Sequence, residues 1–231
     1  MYQAPCVPYV SELTLEEAIS QTLCFGWSGE DANTVNEHAR ALVQEMGVGA
    51  VVLLGRNVST PEDTRKMLRQ LQELAAIPLL IAIDHEGGAV CRFRQGLHCF
   101  PGNMALGAIR DPNERRALTR KQAQTQGAEL RSVGIMWNFA PCLDVNNNPD
   151  NPIIGVRSYG EDSSLVAELG VQAIHGYREA GIVACAKHFP GHGDTAVDSH
   201  LGLPTVAGSW ERLNRVELTP FRAAIEAGVP A

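Results

Sequence analysis

The chain has 231 residues, enough to bury one large core, and its 45% hydrophobic and 19% charged content is that of an ordinary globular protein. A formal net charge of −7, with the Lys and Arg residues scattered, argues against nucleic acid or another polyanion as a partner. No stretch reaches the roughly 18 apolar residues of a membrane helix, and the N-terminal residues lack the basic-then-apolar pattern of a secretory signal, so a cytoplasmic protein with no membrane partner is expected. The six cysteines (Cys6, Cys24, Cys91, Cys99, Cys142 and Cys185) stand far apart with no CxxC pair; free thiols in a reducing compartment are expected, with Cys91 and Cys99 the nearest couple.

Strand-like and helix-like segments alternate along the chain. Thr14 and Glu17 have the spacing of a capping box and predict a helix near 14–21, followed by a short apolar run at 23–27. A helical stretch at 34–46 leads to the apolar run 49–54, and Pro61 opens a helix that ends near Leu74. Residues 78–83 form another apolar run. A long Gly/Pro loop precedes a helix at 112–132, a strand at 135–140 and a second polar loop at 144–162. In the next helix Val166, Leu169, Ala173, Ile174 and Tyr177 recur at the spacing of one helical face. A strand at 182–186, a third Gly/Pro loop, a helix at 210–227 and the start of a strand at 229 complete the chain.

Strands apolar on both faces, each followed by a helix, predict a covered parallel sheet in an α/β fold. Strand starts near 23, 50, 79, 136, 182 and 229 suit a (β/α)₈ TIM-type barrel that is incomplete here, with about five and a half βα units in one catalytic domain spanning 1–231 and lacking its C-terminal portion. An open doubly wound sheet is the alternative. In both architectures the long polar loops after the strands lie on the active face.

Residues 187–200, directly after the strand at 182–186, hold Lys187, three histidines and two aspartates. Pro190, Gly191 and Gly193 exclude a helix, so these groups crowd a shaped loop at a strand end, where titratable clusters point to function. Two chemistries fit. His188, His192 and His200 with an aspartate could ligate a metal, although the break at Pro190 and Gly191 denies the helical i,i+4 arrangement of metalloproteases. Alternatively Asp198 orients His200 for proton transfer, for which an imidazole with a pKa of ~6.5 suits neutral pH. The second is favoured, with no metal and no cofactor. At the end of the run 78–83, Asp84 takes the first polar position, with Arg92 and Arg94 further along; Arg157 stands among Gly and apolar residues. Such groups in an open cup suit a hydroxyl-rich ligand. Neither GxGxxG nor GxxxxGK[ST] occurs, so nothing points to a nucleotide.

The run from Lys187 to Thr195, followed by Asp198 and His200, resembles the signature of glycoside hydrolase family 3, and within it the bacterial β-N-acetylglucosaminidases of peptidoglycan recycling. The segments 83–88, 138–145 and 155–162 resemble the same family, so the similarity covers nearly the whole chain. The resemblance implies a retaining glycosidase that releases terminal β-linked N-acetylglucosamine from N-acetylglucosaminyl-anhydromuramyl peptides or similar small carbohydrates. In that reading His200 is the general acid/base, Asp198 its partner, and Asp84, Arg92, Arg157, Lys187 and His188 hold the sugar. It also implies an aspartate nucleophile after a seventh strand, which these residues do not reach, so residues 1–231 alone are expected to be inactive. Ala89 departs from the longer polar residue that relatives carry after the Gly pair. A β-glucosidase or phosphorylase of the same family, or a non-catalytic sugar-binding fragment, are the alternatives.

Overall fold

The computed structural model describes residues 7–29, 34–198, 200–206 and 208–231; Cys6 lies outside them. Its strands β1 (Cys24–Phe25), β2 (Ala50–Leu53), β3 (Leu80–Ile83), β4 (Trp137–Asn138) and β5 (Val183–Ala184) pair in that order into one sheet, every pair parallel. Chain neighbours are sheet neighbours throughout, with no reversal. A doubly wound sheet doubles back at a switch point, so the alternative architecture is excluded. The progression is that of a (β/α)₈ barrel, open here because β1 and β5 do not meet.

β4 and β5 are shorter than their apolar runs, but the chains stay adjacent beyond them. The Cys185 N–H donates to the Ala140 carbonyl at 2.9 Å and the Lys187 N–H to that of Pro141 at 3.2 Å. The expected strand at 229 is not formed, yet the Ala186 N–H donates to the Ala231 carbonyl at 2.9 Å, which sets the last residue beside β5 where a following strand belongs.

The helices are α1 (Leu15–Gln21), α2 (Glu37–Arg40, continued by a wider turn at Ala41–Glu45), α3 (Pro61–Leu74), α4 (Asn103–Gly107), α5 (Pro112–Val133), α6 (Ser163–Glu179), α7 (Trp210–Arg215) and α8 (Leu218–Glu226). The Thr14/Glu17 capping box forms as predicted, with bonds of 2.8 and 3.2 Å. The single helix predicted at 210–227 is two: Pro220 has no N–H for the Val216 carbonyl, and the chain breaks between α7 and α8. α4 lies inside the predicted loop and is too short for periodicity to reveal.

Val166, Leu169, Ala173, Ile174 and Tyr177 of α6 are all buried, as their spacing requires, and join Leu53, Ile81, Ile83, Leu130 and Leu143 in one core. α6 lies between α5 and α8. Its contact with α5 depends on Gly176: a Cβ there would lie 2.3 Å from the Arg120 carbonyl oxygen and 2.9 Å from the Ala123 methyl. Gly176→Ala should therefore destabilise the full-length protein by about 1–3 kcal/mol despite alanine's better helix propensity. Urea unfolding reads this directly, and an unchanged midpoint would show that α5 and α6 can part without loss.

Candidate active site

The site begins where β3 ends. Asp84 follows Ile83, and the next residue is fixed by a side chain instead of a strand: Asn138 of β4 accepts from the His85 N–H at 3.1 Å and donates to the His85 carbonyl at 2.8 Å. Asp84 is thereby held at the carboxyl end of the sheet. Its carboxylate receives the Lys187 ammonium, from just beyond β5, and the Arg92 guanidinium at 3.2 Å.

The centre of the cluster is a residue that sequence reasoning passed over. The Glu86 side chain is 2% exposed and takes a two-pronged bond from Arg157, Nε to Oε2 at 2.9 Å and Nη2 to Oε1 at 2.8 Å. Lys187 reaches the same Oε1 at 2.5 Å. Its signal was present: in the extended stretch after Asp84, the residue two places on returns to the same side.

His188 completes the group. A guanidinium can only donate, so the contact of 3.1 Å from Arg157 Nη2 makes His188 Nε2 an acceptor and leaves the ring proton on Nδ1. That proton goes to the fully buried Asp144, 2.6 Å away. Asp144 also accepts the His192 N–H at 2.6 Å and the Cys142 thiol at 3.1 Å. The loop can fold down on Asp144 because Gly193 has no side chain; a Cβ there would lie 1.7 Å from the Val145 carbonyl oxygen.

Of the histidine set weighed as a metal site, the structure does not gather all three. His188 and His192 meet edge to face, with centroids 5.9 Å apart, while His200 stands on an exposed stretch. Among the described residues, Cys142, Asp144 and His188 have donor atoms close enough to share an ion, but each already serves a hydrogen bond within the group.

Thus Asp84, Arg92, Arg157, Lys187 and His188 come together, as expected. The Asp198–His200 pair forms too, with His200 Nδ1 and its N–H at 2.7 and 2.9 Å from Asp198 Oδ1. It stands apart from the cluster. The His200 side chain is 79% exposed, beside the exposed Leu201 and Leu203, and among the described residues no hydrogen bond or ion pair links the pair to Asp84, Arg157 or Lys187.

A profile described as the N-terminal domain of glycosyl hydrolase family 3 matches residues 14–231. The chain belongs to glycosyl hydrolase family 3. It is 41% identical over 195 residues to a beta-hexosaminidase A of Pseudoalteromonas piscicida, covering 82% of this chain and 32% of that relative. The structure of a family 3 beta-N-acetylglucosaminidase from Paenibacillus sp. str. FPU-7 superposes with a TM-score of 0.87 at 49% identity, over 94% of this chain and 41% of that one. A NagZ from Neisseria gonorrhoeae, solved with N-trifluoroacetyl-D-glucosamine, gives 0.81 at 30% identity, over 90% and 61%. The chain thus spans between about a third and three fifths of these family 3 proteins.

Electrostatics in this family 3 cup follow from burial opposed by pairing. Burial works against ionising Asp84, but Lys187, Arg92 and Arg157 outweigh it and hold the carboxyl below the usual range. Burial likewise opposes the charge on Lys187, and Glu86 and Asp84 reverse that, raising its pKa. Asp144, buried as well, is held low by His188 and the His192 N–H. His85, whose Nδ1 accepts the Arg92 N–H at 3.0 Å, is lowered from 6.5 to about 4 by burial and then by the Arg92 charge.

The His85 shift has a thermodynamic consequence. The unfolded chain takes up the proton near pH 6.5 and the folded chain only near pH 4, so this contribution is fully present above 6.5 and is lost as pH falls between the two values. Its size is on the order of 3 kcal/mol. In the His85→Asn variant, the fall in unfolding free energy from pH 6.5 to 4 should be shallower by that order. Parallel curves for the two proteins would show that His85 titrates normally.

Proposed function

We propose that this chain forms the sugar-binding and proton-transfer part of a retaining β-N-acetylhexosaminidase that removes terminal N-acetylglucosamine. The observation that carries the reading is charge balance in the cup: Arg92, Arg157 and Lys187 pair with Asp84 and Glu86, while Asp144 lies behind His188, so three cations and three carboxylates share the cup. A balanced cup suits a neutral ligand with many hydroxyls better than a phosphate or carboxylate, because no net field rewards an anion. Exposure grades outward from Glu86 at 2% to Arg157 at 9%, Lys187 at 12% and Asp84 at 25%, so the buried members fix the outer ones for hydrogen bonding to a ring. Relatives named beta-hexosaminidase, and the NagZ structure that holds an N-acylglucosamine analogue, support the choice of sugar.

In this mechanism Asp84 accepts from ring hydroxyls while Lys187, Arg92 and His188 position the sugar. His200 gives its proton to the leaving oxygen and is neutral in the interval, then takes one from water, and Asp198 stabilises the imidazolium that exists before the first step and after the second. Asp198 is suited to that part, since the His200 N–H and then its side chain hold the carboxylate below its usual range. The exposed His200 reaches the cup once sugar is bound. The nucleophile is an aspartate on a later strand, outside these residues, as in a barrel whose catalytic groups come from several strand ends. The physiological substrates are muropeptides released from the cell wall and recycled in the cytoplasm. Among the described residues no helix is long and apolar enough to cross a membrane.

In the full-length protein, Asp84→Asn should lower kcat/KM on a chromogenic N-acetylglucosaminide by about 10- to 100-fold, the loss of one or two charge-assisted bonds. His200→Ala should cost far more on a disaccharide than on an activated aryl glycoside, because a good leaving group needs little protonation. Product NMR should show retained β-configuration. Equal losses on both substrates would remove His200 as the acid, and an inverted product would remove the mechanism.

A further inference from the structure

The nearest cysteine couple in the sequence becomes a contact in the fold. Cys91 and Cys99 lie at the two ends of a nine-residue loop, with sulfurs 3.8 Å apart. Both thiols point at one acceptor, the Phe93 carbonyl, at 3.1 Å from Cys91 and 3.5 Å from Cys99. The two differ in access: Cys91 is buried and Cys99 exposed. The other described cysteines, Cys24, Cys142 and Cys185, are free thiols with no sulfur partner.

We propose that Cys91 and Cys99 are a dithiol–disulfide couple, a modification site in which exposed Cys99 meets the oxidant and buried Cys91 resolves it. The site stands independently of the sugar-binding reading. A bond needs the sulfurs at ~2.05 Å, so they must close by less than 2 Å, and the shared acceptor already aims both at one point. The order of events follows from the surroundings. Cys99 is exposed and Cys91 buried, so an oxidant from solvent meets Cys99 first, and burial, with Cys99 alongside, pushes the Cys91 thiol up to about 11. With hydrogen peroxide, Cys99 sulfur attacks one oxygen, the O–O bond breaks, and hydroxide leaves to become water. The Cys99 sulfenic acid is then attacked by Cys91, which gives up its proton as the S–O bond breaks and a second water leaves. Two thiols are oxidised and one peroxide is reduced to two waters.

The ring so closed contains Arg92, the partner of Asp84. Resolution by Cys91 gives a reducible disulfide where an exposed thiol alone would continue to sulfinic acid beside the cup.

The chain offers a direct readout. Arg92 and Arg94 lie between the cysteines, so trypsin puts Cys91 and Cys99 on separate peptides that travel together only if disulfide-bonded. The full-length protein, treated with a slight excess of hydrogen peroxide and blocked with iodoacetamide, should yield the linked pair, lighter by two hydrogens and separated by dithiothreitol. The Cys91→Ser variant should instead accumulate Cys99 sulfinic acid that dithiothreitol does not reverse. Wild-type Cys99 reaching sulfinic acid while Cys91 is alkylated, or Cys99 linked to any other cysteine, would overturn the proposal.

Discussion

The site depends on a carboxylate that substrate need never touch. Glu86 is buried, and three donors converge on it from two other parts of the chain: Nε and Nη2 of Arg157 and the ammonium of Lys187. Buried ions are costly unless paired and hydrogen-bonded, so each of these groups is tolerable only in the presence of the others. The β3 loop, the turn at 155–157 and the end of β5 are therefore locked to one another by mutual need. A sheet that contributes only two-residue ladders at β4 and β5 gains at its carboxyl end what those ladders do not provide.

A second consequence is tautomeric control. Because Arg157 is fixed by Glu86, its Nη2 faces His188 Nε2, and because Asp144 is buried on the other side, the ring proton has one place to go. The imidazole is thereby a defined donor–acceptor pair before any ligand arrives, so no reorganisation is left for the binding step. Asp198 and His200 contrast with this. They too share a short bond, but on an exposed stretch whose leucines face solvent. Under the proposed function, the groups assigned to the sugar are preorganised and the pair assigned to proton transfer is not.

Much of this was legible in the residues, for reasons that can be named. Apolar runs bounded by Gly and Pro marked the five strands, the first polar position after a run singled out Asp84, and the crowding of titratable groups after a strand drew attention to the loop that begins at Lys187. Spacing marked the buried stripe of α6. What failed to show were properties that arise between segments. Glu86 looked like one acid in a glycine-rich loop because its partners lie more than seventy residues away. The break between α7 and α8 was readable from Pro220, whose missing N–H denies the Val216 carbonyl a partner, yet a single helix is predicted over 210–227. Whether His200 joins the cluster depends on loop conformation, to which periodicity is blind. Sheet order, which decided between the barrel and the doubly wound alternative, appears only once strands are paired.

The Asn138 amide has a role in the history such a fold can have. By answering both backbone groups of His85 it serves as one more rung of the ladder, made of side chain, at the point where β3 leaves its neighbour. Asp84 is thus braced from both sides, by Ile83 in the sheet and His85 on the amide, and its position does not depend on the path the chain takes afterwards. Its carboxylate still relies on Arg92 from the segment beyond, which also carries Glu86, so the variation open to that segment is the kind that keeps these two in place. Variation elsewhere in that loop is separated from the backbone anchor of Asp84, so under the proposed function a lineage can alter the surroundings of the site without dismantling the floor of the cup.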